Sequence, residues 1–583
     1  MIRASHSLSG LGLTRLLALG LALALGMGAQ MSHAQGIPPA DLRAAIDEIQ
    51  HQQSAQAEAD EARRAAQRPS GTAQAAPIAG PDPLAPAPGG PCFHIRAITL
   101  SGFEAFRREP EGYRDLIGRC VTAADIAGAL NLINQHYQDL GFITTRAYVP
   151  EQDVADGSLA ITIVPGRLEG YVYGDGDQAD ARILSAFPGA RGDLLNLRDL
   201  EQGLENINGP RSASGRFQLI PGEDPGGSFV QVHVEDKRPW HLNLNIRNTG
   251  FDSTGVVQAS ANLGFDNVLG VNDQLRFGVT STPFDDRGRK YSDDFSVSWS
   301  APMGNWLFGL DAGASQYFFI LPGINQSYPV EGRSHYGTFW AERLLLRTQT
   351  AKLYAYGDLK LTRTRTFIDN QEIATQRRRL SIASLGLRGE KSFEEGGKLT
   401  WDLGAKLGLP IFDAYVLDKS IVDPEFRLLK ARLSYEHPLD EAGTRYKGTL
   451  VAQHSGDILP GTEQFSIGSW SSVRGFHDDS MYGDSGIYLR NTIEWDAYEA
   501  ASVKVRMNAG LDLGYVAPSA LRRWSQDHLI GVSLGADITF QNRATLNLQL
   551  AHALSRPEVN PPNAQPAFEA DRTVGYVGLS IDF

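Results

Sequence analysis

From residue 239 onward, apolar side chains recur at every second position through a long series of segments. The clearest of these segments are 239–248, 351–361, 401–409 and 544–550. A period of two places successive side chains on opposite faces of a strand, so one face suits an apolar medium and the other suits water. The pattern predicts a mainly β fold, either a soluble sandwich or a transmembrane barrel with a wet lumen.

The end of the chain favours the barrel. Val577, Leu579, Ile581 and the terminal Phe583 alternate with glycine and polar residues. A closing strand with an apolar, aromatic-ended outer face is typical of a transmembrane β-barrel. Such a sheet must close on itself because lipid cannot satisfy the hydrogen-bonding groups of an open edge.

The N-terminus indicates where such a barrel would lie. Arg3 and Arg15 precede an apolar run over 16–27, which is followed by Ser32-His33-Ala34 and then by Gln35. These features predict a secretory signal peptide over 1–34. A membrane anchor is the alternative, but the run is about half of the ~20 residues that a spanning helix needs. Export without a spanning helix points to a bacterial outer membrane.

Composition narrows the function. A chain of 583 residues is too long for one core, so several domains are expected. The formal net charge of −13 argues against nucleic acid as a general partner. The chain contains two cysteines, Cys92 and Cys120, and both would lie outside the cytoplasm. A disulfide between them would contribute about 3.5 kcal/mol through loop entropy. Two buried free thiols remain the alternative.

The segment after the signal peptide predicts a helix on a tether. Over 35–68 the chain is rich in Ala, Glu, Gln and Arg, with Leu42, Ile46 and Ile49 on one helical face. Residues 69–91 are rich in Pro, Ala and Gly and predict a semi-extended linker. A thin apolar stripe is poor material for a domain core. The segment is therefore either a mobile element or a disordered leader.

Two α/β units precede the barrel, over 92–166 and 167–236. Each is expected to follow a β-α-α-β-β order, and the best helical pattern of the chain covers 122–140 in the first unit. An exposed sheet edge can accept an extended peptide as an added strand. The expected edges lie around 143–149 in the first unit and 229–235 in the second.

Two motifs partly match a catalytic site and a metal-binding site, but neither match is complete. Gly-Asp-Ser-Gly at 483–486 matches the surroundings of a serine protease nucleophile, yet no suitable His and Asp precede it in a fitting domain. Asp175, Asp177 and Asp180 vaguely suggest a calcium loop, but Ala179 occupies a ligand position, so a turn before a helix is favoured. We therefore expect no catalytic residue, no metal site and no cofactor.

A further group of motifs is specific in combination. It consists of segments 91–95, 237–240, 464–468, 483–488 and 511–514, together with Val473, Arg474, Gly475 and Phe476. Here the sequence resembles the two-partner secretion transporters of the haemolysin secretion/activation type, within the superfamily of barrel-assembly and translocation pores. The resemblance extends from about residue 37 to the end of the chain.

The resemblance implies a fold and a set of site residues. It implies a barrel of ~16 strands over 237–583, two periplasmic polypeptide-transport-associated (POTRA) domains, and a plug helix over 35–68. The tetrad 473–476 matches the tip of a long loop that folds into the pore, and Asp512 matches an acidic residue that faces the lumen. We expect Arg474 to reach Asp512, since a guanidinium in a partly wet lumen needs a carboxylate. Alternatively, Arg474 faces water and Asp512 pairs with another base.

The resemblance also implies a function and partners. The pore would export one large β-helical exoprotein (an adhesin, haemolysin or contact-dependent toxin) without ATP, recognising it by its N-terminal secretion domain. Lipid would surround the barrel, and the barrel-assembly machinery would recognise the strand that ends at Phe583. An outer-membrane insertase is the alternative, although insertases usually have more periplasmic units and no tethered plug. A passive porin would not need two periplasmic units.

Overall fold

The computed structural model describes most of the chain beyond the linker. The described residues are 49, 91–106, 109–174, 176–323, 326–417, 422–477, 480–517, 524–555, 558–559 and 572–583. The expected signal peptide, nearly all of segment 35–68 with Leu42 and Ile46, and the linker up to residue 90 lie outside them. In the described part, no helix combines the length and the apolar character needed to cross a membrane.

The first periplasmic unit is a three-stranded sheet covered by one long helix. Its elements are β1 (Phe93–His94), β2 (Ala97–Ser101), β3 (Cys120–Val121), α1 (Ala123–Asp139), β4 (Arg146–Tyr148) and β5 (Ser158–Val164). The sheet has the order β2-β5-β4, so among the described residues β4 is an edge strand, as expected for 143–149. Thr122 and Asp125 cap α1 reciprocally, which fixes where the helix begins. In place of the expected first helix stand two short 3₁₀ turns, Phe103–Ala105 and Arg114–Leu116.

A disulfide joins the two cysteines of this unit. Cys92 and Cys120 are bonded, with their Cα atoms 5.3 Å apart, and β1 pairs with β3 immediately beside the bond. The bond closes the segment that contains both 3₁₀ turns. Because that segment has few buried residues of its own, the covalent link takes the place of a larger core. The expected disulfide is confirmed.

The second unit repeats the plan with two true helices. It consists of β6 (Arg167–Tyr173), α2 (Ala181–Ala186), α3 (Leu197–Asn208), β7 (Ala213–Pro221) and β8 (Gly227–Asp236). The expectation that 229–235 is an edge is wrong. β8 lies in the centre of the sheet, parallel to β6 and antiparallel to β7. Its inward residues Val230 and Val232 are fully buried, as suits a strand paired on both sides.

Sixteen long antiparallel strands form the closed barrel. They are β9 (Trp240–Arg247), β10 (Gln258–Asp266), β11 (Gln274–Ser281), β12 (Lys290–Met303), β13 (Trp306–Pro322), β14 (Ser327–Arg347), β15 (Ala351–Ile368), β16 (Arg378–Ser392), β17 (Lys398–Leu409), β18 (Arg427–Pro438), β19 (Arg445–His454), β20 (Gly486–Glu499), β21 (Val503–Val516), β22 (His528–Phe540), β23 (Ala544–Ala553) and β24 (Thr573–Asp582). Short strand pieces in the loops extend the sheet locally. β24 pairs with β9 and closes the barrel.

The alternation in the sequence sets the two faces of the barrel wall. On β24, Val577 and Leu579 point outward and are well exposed to the membrane, while Tyr576, which directly precedes Val577, is buried on the inner side. The terminal Phe583 is also on the outside, and its backbone N–H donates to Leu242 O of β9. The prediction of an apolar outer face and an inward polar or packed face is therefore confirmed on the closing strand.

Candidate functional site: the folded-in loop and the mouth of the pore

The loop between β19 and β20 folds back into the barrel. It covers residues 455–485 and contains a short hairpin in which Phe465–Ile467 pairs with Met481–Gly483. The hairpin carries the tetrad 473–476 at its tip. Because both arms of the hairpin are buried, the tip is delivered to one place on the inner wall.

The Gly-Asp-Ser-Gly segment holds the base of this loop. The Asp484 carboxylate accepts from the backbone N–H of Leu459. The Ser485 hydroxyl donates to the carbonyl of Ser455 and accepts from the backbone N–H of the same residue. Both side chains are thus engaged with backbone groups of the loop. The Ser485 hydroxyl also lies 3.4 Å from Nδ1 of His454, at the end of β19. The two side chains connect the two ends of the loop, which is a structural role.

A buried ion pair anchors the tip of the loop. Arg474 donates from Nε to Asp512 Oδ2 at 2.6 Å and from Nη2 to Oδ1 at 2.7 Å. The backbone N–H of Arg474 also donates to the same carboxylate, at 3.1 Å. Asp512 lies on β21, so the expected contact between loop tip and inner wall is present in the structure. The bidentate geometry is the strongest form of this interaction.

The pair lies in a dry environment and not in the partly wet lumen that the sequence suggested. Both side chains are about 1% exposed. The remaining Nη2 hydrogen bonds go to the carbonyl of Asn491 and the hydroxyl of Thr492, each at 3.1 Å, on β20. The alternative, in which Arg474 faces water, is therefore wrong. A buried charge that loses its partner costs free energy, so the loss of either Arg474 or Asp512 should be strongly unfavourable.

Glycines make the space that the tip occupies. A Cβ atom at Gly510 would lie 2.1 Å from Arg474 Nη2, and one at Gly531 would lie 1.8 Å from the Arg474 carbonyl oxygen. Gly475 itself has φ of +103°, a conformation that favours glycine. Sequence reasoning missed Gly510 and Gly531, because a glycine in a strand signals a close backbone approach without naming the partner.

Apolar packing surrounds the ion pair. Val473 and Phe476 are buried at the tip, and the Phe476 carbonyl accepts a hydrogen bond from the Tyr576 hydroxyl at 2.9 Å. The cluster that encloses them comprises Phe465, Ile467, Met481, Tyr488, Val516, Leu529 and Ala553. This packing excludes water from the guanidinium and so strengthens its contact with Asp512.

A second contact anchors the loop nearer its root. Lys406 Nζ on β17 donates to Glu463 Oε2 at 2.7 Å, and the Glu463 side chain is 3% exposed. The Glu463 carbonyl in turn accepts from the side-chain amide of Gln453 on β19. The loop is thus held to the inner wall at two separated points.

The one described residue of the expected plug face lies against the inner wall. Ile49 is helical and fully buried. It packs in a cluster with Phe319, Leu321, Tyr328, Val330 and Ile368 of β13, β14 and β15. These wall residues share the strand faces that point into the barrel. Leu42 and Ile46 lie outside the described residues.

The second periplasmic unit is docked on the rim of the barrel through buried charges. Arg347 at the end of β14 donates to Glu205 Oε2 at 2.7 Å and pairs with Glu201 at 3.3 Å. Lys352 on β15 donates to the same Glu205 carboxylate at 2.7 Å. The two carboxylates are on α3, and all four side chains are mostly buried. α3 therefore attaches the periplasmic unit to the wall rigidly.

A second set of contacts joins α2 to neighbouring turns of the barrel. Arg182 forms a bidentate pair with Asp236 and donates from Nε to the side chain of Asn272, in the turn between β10 and β11. Gly304, in the turn between β12 and β13, donates its N–H to the Ser185 carbonyl. The hydrogen bond from Arg182 holds the pKa of the Asp236 carboxyl below its usual value. Asp236 is therefore charged at periplasmic pH.

The expected turn before α2 is also present. Asp180 caps the helix by accepting from the backbone N–H groups of Arg182 and Ile183, and it accepts from the Tyr173 hydroxyl. The Asp177 carbonyl accepts from the backbone N–H of Tyr173. Asp175 lies outside the described residues. These roles fit a helix cap and not a calcium loop.

The geometry agrees with the class of protein that the sequence resembles. A closed barrel that follows two small α/β units and holds a loop anchored on its inner wall is the architecture expected of an outer-membrane polypeptide transporter. The model of the haemolysin secretion/activation protein family (ShlB/FhaC/HecB) matches residues 226–538. A ShlB-type POTRA model matches residues 93–166, and a further POTRA model matches 167–221. The chain belongs to the haemolysin secretion/activation family of outer-membrane transporters and is not an enzyme.

Individual relatives agree with this assignment. The outer membrane transporter CdiB of Dickeya dadantii (strain 3937) is 31% identical over 441 residues, which cover 73% of this chain and 77% of that protein. The haemolysin transporter ShlB of Serratia marcescens is 25% identical over 81% of this chain and 84% of its own length. The solved structure of CdiB from Escherichia coli superposes with a TM-score of 0.78 and 25% identity, covering 94% of this chain and all of that one.

The ion pair at the loop tip gives a first prediction. Arg474→Ala should strand a buried carboxylate, which typically costs ~3–5 kcal/mol, and should sharply reduce the amount of exoprotein in the medium. The barrel should still insert and keep its heat-resistant mobility in detergent. Arg474→Asp combined with Asp512→Arg should recover part of the export. Arg287→Ala, in a half-exposed pair on another loop, is the control; export at the wild-type level by Arg474→Ala would contradict the prediction.

The docking of α3 gives a second prediction. Arg347→Ala leaves Glu201 and Glu205 with one buried cation fewer, so the periplasmic units should move relative to the barrel. We expect a broader spin-label distance distribution between α3 and the barrel rim, and faster proteolysis at the junction. Arg216→Ala removes an exposed ion pair of the same domain and should change neither quantity. An unchanged distribution in Arg347→Ala would show that the ionic contacts do not hold the junction.

Proposed function

We propose that this transporter exports one large exoprotein in unfolded form, of the haemolysin, adhesin or contact-dependent toxin kind. Family membership supports the general role, and the named relatives include transporters called CdiB and haemolysin transporter ShlB. The free edge of β4 in the first periplasmic unit is the observation that carries recognition of the client. It offers backbone groups that an extended segment of the client's N-terminal secretion domain pairs with.

One backbone N–H group on the edge of β4 is hydrogen-bonded to a side chain of the same unit. The backbone N–H of Ala147 points away from β5 and donates to Asn134 Oδ1 of α1 at 2.8 Å. A client strand that pairs here therefore replaces the hydrogen bond from Ala147 to the Asn134 side chain and leaves the hydrogen bonds between β4 and β5 intact. This arrangement protects the edge from unspecific pairing when no client is present. The exposed Tyr148 at the end of β4 supplies an apolar contact for the incoming strand.

Segment 35–68 acts as a plug in this proposal. The seat of Ile49 against β13, β14 and β15 supports it, because a helix residue buried there occupies the lumen. Engagement of the client displaces the segment and frees the path. Export then needs no ATP, since folding of the client outside the cell makes the overall transfer favourable.

Assembly in the membrane completes the proposal. The strand that ends at Phe583 would be recognised by the barrel-assembly machinery. Its outward residues Val577, Leu579 and Phe583 form a continuous apolar stripe. Outer-membrane lipid covers this stripe in the finished barrel.

A pair of substitutions tests recognition at the β4 edge. Ala147→Pro removes the outward N–H without removing a bond to β5, so it should weaken binding of the client's secretion domain. Asn134→Ala removes the competing acceptor and should strengthen binding roughly three- to tenfold, the worth of one net hydrogen bond. Binding is measured on the full-length transporter in detergent with the secretion domain of the neighbouring exoprotein. Damage to the domain would weaken binding in both variants, whereas opposite effects require the proposed edge.

The plug is tested by conductance. Deletion of residues 35–68 should raise the single-channel conductance in planar bilayers while export continues. Ile49→Asp places a charge in the apolar seat and should shift the channel towards the same open level. Ile117→Asp, at an exposed apolar position of the first periplasmic unit, should leave the conductance unchanged. An unaltered conductance after the deletion would favour the disordered-leader alternative.

A further inference from the structure

A group of basic side chains, here called the arginine patch, lies on the outer wall of the barrel. It consists of Arg333 and His335 on β14, Arg363 and Arg365 on β15, and Arg379 on β16. In the strand register, Arg333 is directly opposite Arg365, His335 is opposite Arg363, and Arg363 is opposite Arg379. Directly opposed like charges destabilise a sheet unless something neutralises them.

The patch faces the membrane side and not the lumen. On β15, Thr364 and Thr366 point inward and are buried, so the odd-numbered positions point outward. Leu361, which precedes Arg363 on that outer face, is exposed as expected for a lipid contact. Arg365 retains 43% exposure of its side chain despite its crowded neighbours. The patch therefore continues the lipid-facing stripe in the direction of the strand.

The height of the patch places it at the outer boundary of the membrane. β13 begins at the periplasmic rim with Trp306, next to Gly304, which contacts the second periplasmic unit. The outward side of β13 stays apolar until Gln316, which is directly opposite Arg333. Ten residues of a tilted strand rise about 25 Å, which equals the usual thickness of the apolar band. Arg333 thus lies at the level of the lipid headgroups of the outer leaflet.

Carboxylates near the patch neutralise only part of its charge. Glu331 pairs with Arg333 at 2.5 Å. Glu372 is held by both Nε and Nη2 of Arg377, at 2.7 and 2.6 Å, and is 3.9 Å from Arg365 Nε. That Nε atom is buried and has no hydrogen-bond partner among the described residues.

Arg379 and Arg363 have less negative charge close to them than Arg333 and Arg365 do. Within the part of the chain that the structure describes, the carboxylate near Arg379 is that of the largely exposed Asp413, at 4.0 Å. Among the described residues, no carboxylate lies within 4.0 Å of Arg363, which is between Arg365 and Arg379. The patch therefore presents unused guanidinium donors and excess positive charge at its centre.

We propose that the arginine patch binds the phosphate groups of a phosphorylated lipid headgroup in the outer leaflet. Guanidinium forks match phosphate oxygens in geometry and charge, and an anion over Arg363 and Arg365 relieves the repulsion between opposed arginines. A lipid fits better than free phosphate because the apolar stripe with Leu359 and Leu361 runs directly below, where acyl chains pack. Basic clusters at the membrane boundary attract anionic headgroups in this way.

The test compares lipid binding to matched variants of the full-length transporter in detergent. The variants are R333Q/R363Q/R365Q, R363Q alone, and R343Q as a control. Arg343 is an exposed arginine at the opposite, periplasmic end of β14, over the Trp306 ring. Native mass spectrometry measures binding of bis-phosphorylated lipid A, of the same lipid after removal of its phosphates, and of inorganic phosphate. Heat-modifiable mobility in gels verifies that each variant forms a barrel.

The expected result is a graded loss that follows the patch. R363Q should bind bis-phosphorylated lipid A about fivefold more weakly and the triple variant roughly 100-fold more weakly, while R343Q binds normally. The dephosphorylated lipid should bind the wild type as weakly as the phosphorylated lipid binds the triple variant. Equal binding by the folded triple variant, or an equal loss in R343Q, would overturn the proposal. Inorganic phosphate that binds the patch as tightly as the lipid would overturn the assignment to a lipid.

Discussion

The structure depends on one buried contact, the bidentate pair between Arg474 and Asp512. Removing two charges from water costs several kcal/mol per ion, and their attraction offsets that cost only when the geometry is complete. The hairpin that carries the tip, the glycines that admit it and the apolar cluster that surrounds it all serve this requirement. A tip held in this way has one position on the wall, so the loop divides the lumen in a fixed manner.

A second buried network extends the same logic to the periplasmic side. Glu201 and Glu205 on α3 share Arg347 and Lys352 on the barrel, and Arg182 contacts the neighbouring turn. Because these groups lie away from water, the second periplasmic unit cannot rotate without exposing or stranding a charge.

The sequence predicted which segments form strands and helices better than it predicted which elements lie next to one another. Period-two patterning in 239–583 predicted the barrel, and the motifs predicted the contact of Arg474 with Asp512. The pattern of 229–235 could not distinguish a central strand from an edge, since both alternate. The polar face of α3 would normally face solvent, so no local signal indicated that Glu205 is buried against the barrel. Gly510 and Gly531 were missed because their partner is a loop distant in the chain.

The strengths of these contacts distinguish the parts of the transporter that stay fixed from the part that moves in the proposed mechanism. Loss of one partner from a buried ion pair costs ~3–5 kcal/mol, whereas burial of one isoleucine contributes ~1.5–3 kcal/mol. The loop tip and the rim of the barrel are held by contacts of the first kind. Ile49 is held in its seat by a contact of the second kind. A few backbone hydrogen bonds formed by a client strand suffice to offset a contact of that size. If the segment that contains Ile49 is the plug proposed above, the contact of Ile49 is weak enough for a client to break, while the anchored loop and the docked periplasmic unit stay in place.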